Sequence, residues 1–171
     1  EARVLSDSPD KLVNQISEEY RQLANDLREE VLSAEKEVIV ISPYYVPGDS
    51  GIQLVQNLVD KGVRVIILTN SLASSNHVPV HSGYARYRKD VIRAGAELYE
   101  ARANAAHEVH GEQEGPDVMT LHTKLILIDR RYLFVGSLNL DPRSIEINAE
   151  MGLLIDSEEM VGELTAGADE R

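Results

Sequence analysis

His122 and Lys124 stand two residues apart in the run Leu121-His122-Thr123-Lys124-Leu125-Ile126-Leu127-Ile128. In an extended strand successive side chains alternate between faces, so this spacing sends imidazole and ammonium to one side. A neutral imidazole attacks or carries a proton, and an ammonium beside it holds an anion. A hydrophobic hairpin gains no stability from such a pair. Ser137 and Asn139, again two apart, follow Gly136, where a missing side chain lets backbone approach closely. Asn148 and Glu150 repeat the spacing. Imidazole, ammonium, hydroxyl, amide and carboxylate on adjacent strands are the set a phosphodiester needs. Ammonium and amide neutralise and orient the non-bridging oxygens. The imidazole attacks phosphorus or shuttles a proton, and the carboxylate fixes the ring and stabilises its cation.

Asp129 lies an odd number of residues from His122 and from Lys124. A regular strand therefore turns it away from both. It falls in the turn Asp129-Arg130-Arg131, where Asp commonly accepts a backbone N–H. Its expected part is structural support for the motif.

The elements that must position these groups alternate in type. Ser8-Pro9 is a hydroxyl cap with proline at the first helical position. Leu12, Ile16, Tyr20, Leu23, Leu27 and Val31 then recur at helical spacing, which predicts a helix over 9–34. Residues 37–46 read as a buried strand entering a Pro/Gly-rich loop. Asp49 or Ser50 is placed to cap a helix over 52–60, which Gly62 ends. A strand over 63–68, a loop of hydroxyls and amides over 69–77, a helix over 82–94 and a strand over 97–99 come next. Residues 101–118 show no periodicity and read as a loop. Strands over 124–128 and 132–135 form a hairpin. A short helix starts at Asp141-Pro142, a strand covers 148–155, and a last helix starts at Ser157. The order argues for one α/β domain over 1–171, with a largely parallel or mixed sheet and helices on both faces.

Composition narrows the chemistry. The 171 residues carry 17 Lys and Arg against 29 Asp and Glu, a net charge of −12. Sequence-independent binding of nucleic acid needs a positive field, so no nucleic-acid partner is expected. There is no cysteine, which excludes disulfides and thiolate sites. With no Trp and one Phe, the core is expected to be aliphatic. No apolar run approaches the roughly 20 residues of a spanning helix.

His122-x-Lys124-x-x-x-x-Asp129, followed by Gly136-Ser137-x-Asn139, resembles the HKD signature of the phospholipase D superfamily. Ser42-Pro43-Tyr44-Tyr45-Val46-Pro47, Thr69-Asn70-Ser71-Leu72-Ala73-Ser74 and Val80-His81-Ser82-Gly83-Tyr84 are similar to the second half of bacterial cardiolipin synthase-like members. Ser6-Asp7-Ser8-Pro9 resembles the junction after their first half. The resemblance implies a phospholipase D-like α-β-α sandwich and a catalytic set of His122, Lys124, Asp129, Asn139 and Glu150. Lys124 and Asn139 would bind phosphate oxygens, and Glu150 would hold the His122 ring. The implied reaction is phosphatidyl transfer between phospholipids through a phosphohistidine, with no cofactor and no metal. The alternatives are hydrolysis of a phospholipid or, less in keeping with the charge, of nucleic acid, or a catalytically silent half-domain. The implied location is peripheral, on the cytoplasmic face of the bacterial inner membrane.

In that family the motif is needed twice, with two histidines facing each other across the phosphodiester. Here it occurs once, because His77, His81, His107 and His110 lack a Lys two residues on. The partner motif is therefore expected from an upstream half or from a homodimer mate. The opening on Glu rather than Met favours the upstream half. A carboxyl-terminal copy implies the acid/base role for His122.

Ser137, Asn70, Ser71, His81 and Tyr84 are further candidates for substrate contact. The last four sit near the carboxyl ends of strands, where open α/β sheets place ligands. Tyr44 and Tyr45 either line an entrance or pack. Arg86, Arg88, Lys89 and Arg93 read as a solvated helix side or as an attraction for anionic lipid. His107-x-x-His110 has metal-ligand chemistry without a strict ligand spacing.

Overall fold

The computed structural model describes residues 1–13, 21–104 and 119–166. Seven strands form one sheet: β1 Ala2–Ser6, β2 Glu37–Ile41, β3 Arg64–Asn70, β4 Glu97–Ala101, β5 Leu125–Ile128, β6 Tyr132–Gly136 and β7 Met151–Asp156. Their order is β1-β7-β6-β5-β2-β3-β4. Strands β2, β3 and β4 are parallel, joined by crossover helices α2 Gly48–Asp60 and α3 Val78–Arg93. The remaining pairs are antiparallel, as a tight hairpin requires. The sheet is thus mixed, with its parallel half where β-α-β alternation is legible in the sequence.

Strand parity divides the core. Val38, Val40, Val65, Ile67, Ile126, Ile128, Phe134 and Leu154 belong to one layer. Leu23, Leu27 and Val31 of α1 Gln22–Leu32, Val55 and Leu58 of α2, and Val91 of α3 cover it. Leu125, Leu127 and Leu133 point the other way and pack with Val161 of the last helix, α5 Glu158–Thr165. Each such aliphatic side chain contributes about 2 kcal/mol by leaving water. Helices therefore lie on both faces, and the core is mainly aliphatic, with Tyr45 and Tyr84 buried in it beside the single Phe134. No helix among the described residues is long and apolar enough to cross a membrane.

Several boundaries differ from the sequence reading. Residues 2–6, to which the sequence reading assigns no element, form β1 against β7 in register Val4↔Leu153. Ser8 does cap, accepting from the Asp10 N–H at 3.2 Å, but the element it caps is a 3-10 turn, Pro9–Leu12. Lys11 within that turn is buried, its side chain 1% exposed. Residues 14–20 lie outside the described residues, and α1 follows them. Asp49 and Ser50 fall inside the first turn of α2 rather than capping it. Helix α3 begins at Val78, four residues early, with Pro79 in its first turn. On α3 Arg88 pairs with Glu100 at 2.6 Å and Arg93 with Asp90 at 3.0 Å.

Gly136 and Gly152 face each other in the β6–β7 register. A Cβ on Gly136 would lie 2.5 Å from the Met151 carbonyl oxygen and 2.8 Å from the Gly152 Cα. These are backbone atoms that cannot swing aside, so Gly136→Ala is expected to destabilise the domain by about 2 kcal/mol. A lower urea midpoint at unchanged m-value would show it; an unchanged midpoint would refute the close approach.

Candidate active site

The β5–β6 hairpin turns through Asp129 at φ 54° and Arg130 at φ 56°. Two successive left-handed residues make the turn whose twist matches the flanking strands. Neither is glycine, and Asp is among the side chains that tolerate this region. The Asp129 carboxylate accepts from the backbone N–H groups of Glu35 at 2.9 Å, Lys36 at 2.7 Å and Glu37 at 2.9 Å. Its own N–H donates to the Glu37 carbonyl at 2.8 Å. Asp129 therefore stitches the turn to the start of β2. Burial opposes ionisation of this carboxyl, yet the three backbone donors prevail and hold its pKa below the usual carboxylate range.

His122 and Lys124 do not lie within a strand, since β5 begins at Leu125. They occupy the irregular segment leading into it. The Lys124 ammonium folds back to donate to the His122 carbonyl at 2.8 Å. Burial pushes the Lys124 pKa down, and the Glu150 charge pulls against that shift. The His122 side chain is exposed.

Glu150, just before β7, is buried. One carboxylate oxygen accepts from the Ser137 hydroxyl. The other accepts from the Ser144 hydroxyl at 2.5 Å and from the Asn148 amide at 3.1 Å. The carboxylate thus directs its hydrogen bonds to Ser137, Ser144 and Asn148 rather than to the His122 ring. Ser144 lies on the short helix α4, Pro142–Glu146, whose cap Asp141 accepts from the N–H groups of Arg143 and Ser144. The Ser144 hydroxyl also accepts from the Asn139 N–H at 3.0 Å. The Asn139 carboxamide oxygen is buried with no partner among the described residues. That oxygen is an acceptor, with capacity for an N–H or O–H donor.

Ser144 was not legible as a site residue. A serine after Asp-Pro reads as part of a cap, and only the fold brings it to Glu150. Asn70 was legible, but in a different capacity. Its Oδ1 accepts from the Leu121 N–H at 2.9 Å, and its Nδ2 donates to the carbonyls of Leu121 at 3.0 Å and Pro43 at 3.3 Å. The amide clamps the residue just before His122. The Ser71 hydroxyl accepts from the Ser74 N–H at 3.2 Å and meets the Ser74 hydroxyl at 3.0 Å. His81 is buried, edge-on to Tyr84 with ring centroids 5.4 Å apart. The Tyr84 hydroxyl donates to Glu100 at 2.7 Å, and burial raises its pKa together with that bond. Asn70, His81 and Tyr84 line a small cleft with Pro43 and Tyr44. Tyr45 packs in the core, whereas the Tyr44 hydroxyl donates to Asn76 at 2.8 Å. His107 and His110 lie outside the described residues.

The sequence and the fold both have counterparts among known proteins. A family model described as "Cardiolipin synthase, PLD-like domain" matches residues 27–170. Cardiolipin synthase C of Escherichia coli (strain K12) is 39% identical over 159 residues, which cover 91% of this chain and 33% of that protein. The chain thus spans about a third of that relative. NucT from Helicobacter pylori superposes with a TM-score of 0.69 at 16% identity, over 99% of this chain and 94% of that one. Nuc from Salmonella typhimurium, a phospholipase D family member, superposes with a TM-score of 0.68 at 15% identity, over 100% and 94%.

Proposed function

This chain belongs to the cardiolipin synthase, PLD-like domain family, and on that premise we propose that it supplies one wall of a phosphatidyl-transferring active site. The observation that carries the reading is the cluster of Glu150 with Ser137, Ser144 and Asn148, whose carboxylate charge acts on the half-buried Lys124 ammonium. The Lys124 ammonium and the Asn139 amide bind the phosphate oxygens. A histidine on the second motif attacks phosphorus and breaks the bond to the leaving alcohol, while protonated His122 hands that alcohol its proton. His122 then takes the proton of the incoming alcohol, whose oxygen attacks the phosphohistidine and releases the partner histidine. Asp129 and Asn70 support this set from behind, by fixing the hairpin turn and the residue before His122. Ser71, His81 and Tyr84 contact the substrate, the last two from the cleft they line with Asn70. No cofactor or metal enters the reaction.

The second histidine comes from another HKD-bearing half, upstream in the same protein or in a homodimer mate. An apolar strip supports such pairing. Val4, Leu153 and Val135 are neighbours on the face opposite α1, α2 and α3, and are 61%, 41% and 38% exposed. Met151, also exposed, joins this strip to Ser137 through its carbonyl. The assembled protein works at the cytoplasmic face of the bacterial inner membrane as a peripheral enzyme on phospholipids. Water as acceptor gives phospholipase D hydrolysis instead, and the choice rests on how well the closed site excludes it.

The test uses vesicles containing phosphatidylglycerol. The monomeric chain alone is expected to be inactive and to gain transfer activity when a second HKD-bearing half is added. Strong activity from a demonstrably monomeric sample would overturn the two-wall reading.

A further inference from the structure

We propose that Asp7 and Lys11 form a buried positioning device for the phosphate-binding wall. The inference rests on the reading of Glu150 as part of that wall. Both residues precede the 27–170 stretch matched by the family model. Their side chains are 0% and 1% exposed, with the Lys11 ammonium donating to Asp7 Oδ2 at 2.6 Å.

Among the described residues, the remaining bonds of the pair are aimed at backbone. Asp7 Oδ2 accepts from the Glu150 N–H at 3.2 Å, and the Asp7 N–H donates to the Glu150 carbonyl at 2.9 Å. Asp7 Oδ1 accepts from the Leu23 N–H at 3.1 Å, at the start of α1. The Lys11 ammonium donates to the Ser144 carbonyl at 3.3 Å. Ser144 in turn donates to the Glu150 carboxylate and accepts from the Asn139 N–H. One ion pair thereby fixes the main chain at Glu150 and at Ser144, and through Ser144 it fixes Asn139.

Stability alone gives little reason for this arrangement. Removing two charges from water is costly, and apolar residues of similar volume often serve a core equally well. Orientation gives a better one. Glu150 and Asn139 sit on connecting segments before and after strands, held there by Asp7 and by the Ser144 hydroxyl. A displacement of about 1 Å at a reacting centre is enough to lower a rate roughly a hundredfold.

The experiment compares Asp7→Asn and Lys11→Met in the enzyme assembled with its second HKD half, with thermal unfolding measured alongside. The expected result is a kcat lowered by roughly ten- to a hundredfold, with KM nearly unchanged. The Asn139 amide and Glu150 carboxyl resonances should shift in the isolated chain. If either variant fails to fold, Ser144→Ala keeps the ion pair and cuts its link to the Glu150 carboxylate. It should show the same loss of kcat at constant KM. A lower unfolding temperature with wild-type kcat and unmoved resonances would overturn the proposal. His122→Ala serves as the control for the underlying reading: if that variant stays active, the wall assignment fails whatever Asp7 and Lys11 do.

Discussion

Replacing His122 by alanine in the two-motif assembly is expected to lower phosphatidyl transfer by about a thousandfold or more, the scale of a lost proton carrier. Stability should hardly move, within about 0.5 kcal/mol, because the side chain is exposed and its ring takes no hydrogen bond among the described residues. That separation makes the variant informative: a dead enzyme that unfolds like wild type has lost chemistry and not structure. The role of His122 can then be read from the intermediate. If His122 is the general acid and base, its removal still permits the partner histidine to be phosphorylated by a substrate with an activated leaving group. Trapped phosphoenzyme in the His122→Ala protein is therefore the expected result, with slow release of product. Wild-type turnover by this variant would sink the catalytic assignment.

Asp129→Ala should act on the opposite axis. It removes the acceptor for three backbone N–H groups at the start of β2 while leaving a turn with two left-handed residues. Charged acceptors contribute more per bond than neutral ones, and the cost is expected at about 3 kcal/mol. Activity per folded molecule at moderate temperature should stay within a few-fold of wild type. The pH dependence has a definite sign. The folded-state pKa of Asp129 is depressed, so its contribution is complete above the unfolded value of about 4 and is lost as pH falls through the lower folded value. The stability gap between wild type and Asp129→Asn should thus narrow below about pH 4. Urea denaturation at neutral and acid pH checks both points, and a gap that stays constant with pH would refute the charge argument.

The sequence showed these two residues with unequal clarity. Period-2 alternation and β-α-β order sufficed for the sheet, its helical layers and the hairpin, because those signals are local. Parity also turned Asp129 away from Lys124. Parity was the wrong instrument for His122, Lys124, Asn148 and Glu150, which stand just outside the strands it assumed. Of these, Asn148 and Glu150 do meet, through the Asn148 amide at 3.1 Å. Ser144 and the second duty of Asn70 depend on contacts between distant segments, and local pattern carries no trace of those. The same holds for β1, a five-residue edge strand of ordinary composition whose partner lies near the other end of the sequence.

That pairing has a consequence for how the protein is made. Residues 2–6 lie against 151–155, and Asp7 reaches Glu150 across 143 positions of sequence. Contacts of such separation form late, after the loop between them has closed. On the ribosome, the parallel half of the sheet can assemble while synthesis continues. Asp7 and Lys11 emerge well before Ser144 and Glu150 and must wait for them. Catalytic competence is therefore expected to arrive last, when the two ends of this stretch meet, and a nascent chain halted before Met151 should hold a structured βαβ unit with no working phosphate site.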